Sequence, residues 1–180
     1  MFLNKLDSIN KLLFAPNDML VLKLSNSKSN VEYDAVDFYL NNLCCVFRNA
    51  KITPKKKGAF VALWKKANTT DRIINENRTT SANLPYNYMD MSICFIAVES
   101  HDSAGVFVFT SDILLKKDVL SAVSGSGGKL GFRVYPDWDI LDNSTAIKTQ
   151  EWQQQYFINF SSTQEQCFNK FKSIINQKVI

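Results

Sequence analysis

Apolar residues recur along the chain at the spacing of helices in some segments and at the spacing of strands in others. The opening stretch predicts an amphipathic helix over residues 2–14, because its apolar residues lie three or four positions apart: Phe2, Leu6, Ile9 and Leu13. Ser111 and Ser144 precede two further predicted helices as N-caps, over residues 111–120 and 144–158. A last helix is expected over residues 163–177.

Short apolar runs bounded by turn residues predict the strands. They fall at residues 35–41, 43–52, 59–64, 93–98, 105–109 and 130–135. Asn41 and Asn42 form a tight turn between the first two runs, and Thr53, Pro54 and Gly58 bracket a turn before the third. The polar stretches 25–30 and 67–83 predict exposed loops.

The order of these elements predicts a single α+β domain over residues 1–180. Strands outnumber helices, and most connections are too short for a helical crossover. We therefore expect a central, twisted, mostly antiparallel or mixed sheet flanked by helices. With 180 residues, 46% of them hydrophobic, the chain has ample material for one buried core.

Positive charge is concentrated in one segment of the chain. Between Phe38 and Thr70 there is no Asp or Glu, yet this stretch holds seven of the 21 basic residues: Arg48, Lys51, Lys55, Lys56, Lys57, Lys65 and Lys66. Because aromatic residues are interleaved with these charges, the segment predicts folded structure with a basic face. Such a face indicates a polyanionic partner, although an unoccupied, solvated turn is the alternative.

Two later segments add candidate contacts. The stretch S-G-S-G-G-K lacks the spacing of a nucleotide-binding P-loop and precedes a strand, but Lys129 and Arg133 beside it offer further cations for an anion. In the helix predicted from Ser144, amide and aromatic side chains share a face. These side chains either bind bases or sugars of a ligand, or they pack against the sheet as part of the core.

These observations predict a nucleic-acid-binding protein, for DNA or RNA, with no evident sequence specificity. The residues expected to engage phosphates are Arg48, Lys51, Lys55, Lys57, Lys65, Lys129, Arg133 and Lys148. The residues expected to shape the groove are Trp64, Gln150, Trp152 and Gln153.

Other classes of protein are disfavoured by the sequence. Polar residues interrupt the apolar positions of the N-terminus, which argues against a signal peptide or a membrane span and predicts a cytoplasmic protein. The four cysteines form no C-x-x-C pair, and His101 is the only histidine, so no zinc site and no cysteine–histidine pair is expected.

Four motifs together resemble the MepB family. They are F-R-x-A-K-I-T-P-K-K-x-G-x-F-V-x-L-W-K from Phe47, G-x-F-V-F ending at Phe109, G-K-x-G-F-R-V-Y-P from Gly128, and K-T-Q-x-W-Q from Lys148. The resemblance is strongest over residues 32–158. The chain departs from the family pattern at Ala59, where Gln is usual, and at Leu130, where Arg is usual.

The resemblance implies a cytoplasmic bacterial protein of poorly defined function, with a restriction-endonuclease-like fold and nucleic-acid binding. That fold raises the alternative of a magnesium-dependent nuclease, which needs a carboxylate and an Asp/Glu-x-Lys triplet. None of the 17 acidic residues is followed by Lys two positions later. The remaining catalytic candidates are Asp90 and Glu99, with Lys51 as the lysine, and binding without catalysis is favoured.

A second alternative is that the same cations hold a small phosphorylated ligand. No cofactor is expected in either binding hypothesis, and magnesium would be needed only by a nuclease. A nucleic acid is the expected partner, and no membrane partner is expected.

Overall fold

A computed structural model of the protein describes residues 2–26, 33–67 and 83–177. The strands of these segments are β1 (Val21–Asn26), β2 (Val36–Leu40), β3 (Leu43–Asn49), β4 (Lys51–Thr53), β5 (Lys56–Ala62), β6 (Trp64–Lys66), β7 (Asn83–Pro85), β8 (Ile93–Glu99), β9 (Ala104–Thr110), β10 (Gly131–Val134) and β11 (Phe157–Asn159). The α-helices are α1 (Phe2–Ile9), α2 (Ser111–Lys116), α3 (Ser144–Gln153) and α4 (Gln164–Asn176). A π-helical turn, Asn10–Phe14, continues α1.

The central sheet has the order β1-β2-β3-β8-β9-β11. Neighbouring strands are antiparallel except β3 and β8, which are parallel. Every side chain from Ile93 to Val98 is buried, as a continuous apolar run in a central strand requires. The predicted α+β class with a mixed sheet flanked by helices is confirmed.

Helices cover one face of this sheet. Phe14, at the end of the π-helical turn, lies 5.2 Å from Phe95 and 5.8 Å from Phe171 between ring centroids. Phe171 comes from α4 and Phe95 from β8, so the N-terminal segment and α4 pack together over the sheet. The amphipathic helix predicted at the N-terminus and the helix predicted at the C-terminus form this layer.

A second layer covers the opposite face. It consists of the three-stranded sheet β10-β5-β4, the pair β6-β7 and helix α3. Phe109 of β9 packs against Phe132 of β10 and against Trp152 of α3, at 6.2 and 5.4 Å between ring centroids. Strands β4, β5 and β6, which carry most lysines of the basic segment, therefore belong to this second layer.

The predicted strand 43–52 is divided between the two layers. Strand β3 ends at Asn49, Ala50 donates its N–H to the carbonyl of Ala97, and β4 then pairs with β5 in the other sheet. Lys51 is thereby moved out of the central sheet. The turn between β4 and β5 lies where the sequence predicts it.

Two predicted helices have different bounds and caps. Thr110 caps α2 and Asn143 caps α3, each one residue before the predicted serine. Helix α2 ends at Lys116, and Asp118 then takes a left-handed conformation at φ 56°. The helix predicted to run to residue 158 ends at Gln153, because Phe157 enters β11 and packs against Phe107, with ring centroids 4.5 Å apart.

Parts of the predicted loops lie outside the described residues. This applies to residues 27–30 of the first loop and 68–82 of the second; residues 25 and 26 belong to β1. Within the described segments, no helix has the length and apolar character needed to cross a membrane.

Candidate nucleic-acid interface

The three-stranded sheet places cationic and aromatic side chains in one row. Phe60 in the middle strand pairs with Arg133 of β10 on one side and with Lys51 of β4 on the other. Directly paired residues project to the same face of a sheet. Tyr33 packs against the ring of Phe60, and the ammonium group of Lys51 lies 4.9 Å from the centre of the Tyr33 ring.

Arg133 fixes the lysine turn between β4 and β5. Its Nη1 donates to the carbonyls of Lys57 and Gly58, at 3.2 and 3.1 Å, and its Nη2 donates to the hydroxyl of Thr53 at 2.7 Å. These bonds use three of the five guanidinium donors. Arg133 therefore holds the turn in place and keeps donors for an anion.

The lysine turn borders a cavity of 420 Å³, which we call the turn cavity. Its lining includes three lysines, two acidic residues and a tryptophan: Lys55, Lys56, Lys57, Glu99, Asp139 and Trp138. Glu99 is ion-paired with Lys5 at 2.8 Å, so part of the negative charge is already offset.

Asp139 stands out among the residues of the turn cavity. Its Oδ2 is buried and has no hydrogen-bond partner among the described residues. Burial raises the pKa of Asp139, and the neighbouring charge of Lys57 partly lowers it. The backbone carbonyl of Asp139 accepts a hydrogen bond from Gln150 at 3.0 Å, which ties this residue to α3.

A second cavity, of 350 Å³, lies between β10 and α3, and we call it the helix cavity. Its described lining contains three cations, no carboxylate, and mainly apolar or amide side chains elsewhere: Lys117, Lys129, Arg133, Val119, Phe132, Tyr135, Thr149, Trp152 and Gln153. Arg133 therefore belongs to both sites, since it lines the helix cavity and bonds the turn of the other.

Contacts among these side chains hold the cations close together. The ammonium group of Lys117 lies 5.1 Å from the ring centre of Trp152, a cation–π distance. Lys129 donates from Nζ to the carbonyl of Lys117 at 3.3 Å. Each ammonium group carries three N–H donors, so Lys129 keeps donors for a ligand.

The two glutamines predicted to shape the groove act on its wall. Gln153 is fully buried, accepts from the N–H of Tyr135 at 2.8 Å and donates to the carbonyl of Arg133 at 2.9 Å. Gln150 donates to the carbonyls of Pro136 and Asp139 at 2.8 and 3.0 Å. Both glutamines therefore attach the backbone of residues 133–139 to α3.

Arg48 is not on the basic face, and its predicted contact with phosphate is corrected. Its side chain is 0% exposed and lies under the second layer. The guanidinium donates to the carbonyl of Phe47 at 2.7 Å and to the hydroxyl of Tyr86 at 2.6 Å, and it is 3.3 Å from a carboxylate oxygen of Asp37. Burial raises the pKa of Tyr86 to about 12, against a smaller lowering by Arg48.

The other predicted contacts lie apart from the two cavities. Lys65, in β6, is ion-paired with Asp90 at 2.8 Å, and its neighbour Trp64 is half-buried. Lys66 lies 5.2 Å from the ring centre of Trp64. Lys148 is exposed on α3, one turn before Trp152, and does not line the helix cavity.

The three catalytic candidates are not brought together. Asp90 precedes β8 and Glu99 ends it, and a seven-residue strand separates its ends by about 20 Å. Each acid has its own lysine partner, Lys65 or Lys5, and Lys51 stacks on Tyr33 in the other sheet. Within the described segments, no three His, Cys, Asp or Glu residues are close enough to hold a metal ion.

Sequence reasoning missed three residues of these cavities: Lys117, Trp138 and Asp139. Trp138 and Asp139 lie two and three residues after Pro136, where the G-F-R-V-Y-P motif ends, and this short distance is the signal that could have found them. Lys117 comes near Lys129 only through the fold, and no spacing in the sequence marks it.

Comparisons with known proteins agree with this architecture. The family model described as MepB-like matches residues 27–159. The crystal structure of MepB is similar to this chain at 33% sequence identity and a TM-score of 0.70, covering 79% of this chain and 89% of that one. The chain belongs to the MepB-like family, as the motifs predict.

A more distant likeness is to the structure of a bacterial homing endonuclease, I-Ssp6803I. It has 14% sequence identity and a TM-score of 0.44, and the match covers 81% of this chain and 82% of that one. At this TM-score the likeness carries no argument about fold or function. No curated protein matches the chain.

Proposed function

We propose that this protein binds nucleic acid in the cytoplasm, through phosphates held along the second layer. The observation that carries the proposal is the lining of the helix cavity, where Lys117, Lys129 and Arg133 meet without a carboxylate among the lining residues. Three cations that are not neutralised within their own cavity create a positive potential that attracts a polyanion.

The remaining cations extend this surface in two directions. Lys51, Lys55 and Lys57 lie on and beside the lysine turn, and Lys148 lies one helical turn from Trp152. A row of cations along two cavities fits the repeating charge of a phosphate backbone better than a single small anion. Arg48 is left out because it is buried, and Lys65 is a weaker candidate because of its ion pair with Asp90.

The aromatic contribution to binding is mainly structural. Trp152 packs against Phe109 on one side and against the ammonium group of Lys117 on another. A base could stack on this ring only after displacing Lys117, so Trp152 positions a phosphate-binding cation. Contacts of this kind read the backbone and predict binding without sequence specificity.

Salt dependence tests the proposal directly. We expect fluorescence anisotropy with labelled single-stranded and duplex oligonucleotides to show affinity falling steeply with salt, with a log–log slope on the order of −3 to −4 if about four phosphates are neutralised. A flat response in both arms would refute it.

Two matched variants locate the interface. Lys117→Ala removes an ammonium group over Trp152 in the helix cavity, and Lys172→Ala removes one over Phe168 on α4, on the opposite side of the central sheet. Lys117→Ala is expected to weaken binding several-fold and to reduce the salt slope by about one. Equal losses from both variants would show that the helix cavity is not the interface.

A further inference from the structure

The turn cavity has a lining that differs from that of the helix cavity. Three segments of chain wall it: residues 52–59 at the lysine turn, residues 98–100 at the end of β8, and residues 136–139 after β10. Its volume of 420 Å³ falls within the range of about 300–1,000 Å³ typical of small-molecule sites. A cavity of this size accepts the end of a polymer or a small ligand.

The charges of the turn cavity fit a doubly charged anion. Lys55, Lys56 and Lys57 all line the cavity, whereas Glu99 is already paired with Lys5 outside the lining. A phosphate monoester carries about −1.5 to −2 charges near neutral pH and three acceptor oxygens, whereas a phosphate inside a strand carries one charge. Adjacent lysines at one turn therefore favour a terminal phosphate over an internal one.

The rest of the lining fits the body of a nucleotide. Trp138, held by an edge contact with Phe157 at 5.4 Å between ring centroids, gives the cavity an aromatic wall. Asp139 also lines the cavity, and its buried Oδ2 has no hydrogen-bond partner among the described residues, so a rotation of the carboxyl group toward the cavity would let it accept from a sugar hydroxyl or a base N–H. Cations at one wall and an aromatic ring with an acceptor at another match phosphate at one end of a ligand and sugar or base at the other.

We propose that the turn cavity binds a nucleotide through its terminal phosphate monoester, with Lys55, Lys56 and Lys57 on the phosphate and Trp138 and Asp139 beside the sugar and base. The nucleotide is either the 5′-phosphorylated end of a strand, in which case this site rests on the proposed nucleic-acid binding, or a free mononucleotide, in which case it does not.

The experiment has two arms, both on the full chain. One compares oligonucleotides of the same sequence that carry a 5′-phosphate or a 5′-hydroxyl, in the anisotropy assay. The other follows the melting temperature with adenosine 5′-monophosphate, with adenosine, and with inorganic phosphate. Lys57→Ala and Lys55→Ala remove cavity cations at exposed positions, and Lys172→Ala is the matched control on α4.

A 5′-phosphate is expected to tighten oligonucleotide binding roughly tenfold, which is about 1.4 kcal/mol, because its second charge and its free oxygens form charge-assisted hydrogen bonds with the lysines. Lys57→Ala and Lys55→Ala should each reduce this preference, and Lys172→Ala should not. Lys117→Ala should weaken both oligonucleotides by the same factor and leave their ratio unchanged, which separates this site from the helix cavity.

The melting arm identifies the source of the ligand. A rise of about 3–6 °C with adenosine 5′-monophosphate at about ten times its Kd, without a 5′-end preference, supports the site and assigns it to a free nucleotide. An equal rise with inorganic phosphate overturns the nucleotide assignment. The absence of both the preference and the rise overturns the whole proposal, even if salt-dependent binding to oligonucleotides persists.

Discussion

Truncation of Arg48 is expected to destabilise the fold strongly while sparing the interface. Arg48 is fully buried, and its guanidinium joins three elements through the carbonyl of Phe47, the hydroxyl of Tyr86 and the carboxylate of Asp37. Arg48→Ala removes all of these donors and leaves a cavity beneath the second layer. Among the described residues, Arg48 is the only Lys or Arg that is fully buried.

The contacts of Arg48 set the magnitude of this loss. The hydroxyl of Tyr86 and the carbonyl of Phe47 make its shortest bonds, at 2.6 and 2.7 Å, and a buried polar group that loses its partner costs about 1–3 kcal/mol. The bonds to Val36 and Asp37 are longer, at 3.4 and 3.3 Å, and contribute less. Together with the cavity left by the removed side chain, we expect a total of about 3–5 kcal/mol, to which Asp37 contributes little because its side chain is 40% exposed and water can solvate it.

Urea unfolding followed by tryptophan fluorescence measures this loss. For a chain of 180 residues, 3–5 kcal/mol corresponds to a melting temperature lower by about 6–20 °C. Lys172→Ala, an exposed change on α4, should remain within about 0.5 kcal/mol of the parent protein. A loss below about 1 kcal/mol, together with much weaker binding to oligonucleotides, would show that Arg48 contacts phosphate after all.

Three further predictions follow from other contacts. Gly58→Ala should cost about 1–3 kcal/mol in urea unfolding, because φ is 75° and a Cβ would lie 2.5 Å from the Tyr135 ring; an unchanged midpoint would contradict this. Burial raises the pKa of Tyr86 from 10.0 to about 12 and the pKa of Cys94 from 9.0 to about 12. Between about pH 9 and pH 12 only the unfolded chain loses these protons, so the free energy of unfolding should be level below about pH 9 and fall from there to about pH 12. If the free energy of unfolding in urea stays constant above about pH 9, the raised pKa values of Tyr86 and Cys94 are refuted. Arg133→Lys cannot reach all three acceptors of the lysine turn, so hydrogen exchange of the turn amides should rise roughly tenfold; equal exchange in the two proteins would show that the turn is held by other contacts.

The central strands were predictable because their sequence pattern records burial on both faces. The runs at 93–98 and 105–109 are almost wholly apolar, and both became neighbouring strands of the central sheet. The boundary between the two sheets was not predictable, because the chain changes layer at Ala50 through a single backbone bond to Ala97. No residue type marks such a step.

The position of Arg48 shows why charge alone misplaces a site residue. Alternation along β3 correctly puts Arg48 on the face opposite to Phe47, and a charged residue on a strand is normally taken as exposed. Here the second layer covers that face, and Tyr86 and Asp37 supply the partners that make burial tolerable. These partners are distant in sequence, so the burial of Arg48 depends on the assembled fold.

Part of the candidate interface was predictable because its residues belong to motifs that are visible in the sequence. Lys129, Arg133 and Trp152 belong to two motifs about twenty residues apart, and β10 and α3 bring them to one cavity. The same guanidinium of Arg133 also holds the lysine turn, so the two cavities share one structural element. The two cavities therefore adjoin at Arg133. One strand could occupy both sites, with its end at the lysine turn and its following phosphates directed toward Lys129 and Lys117.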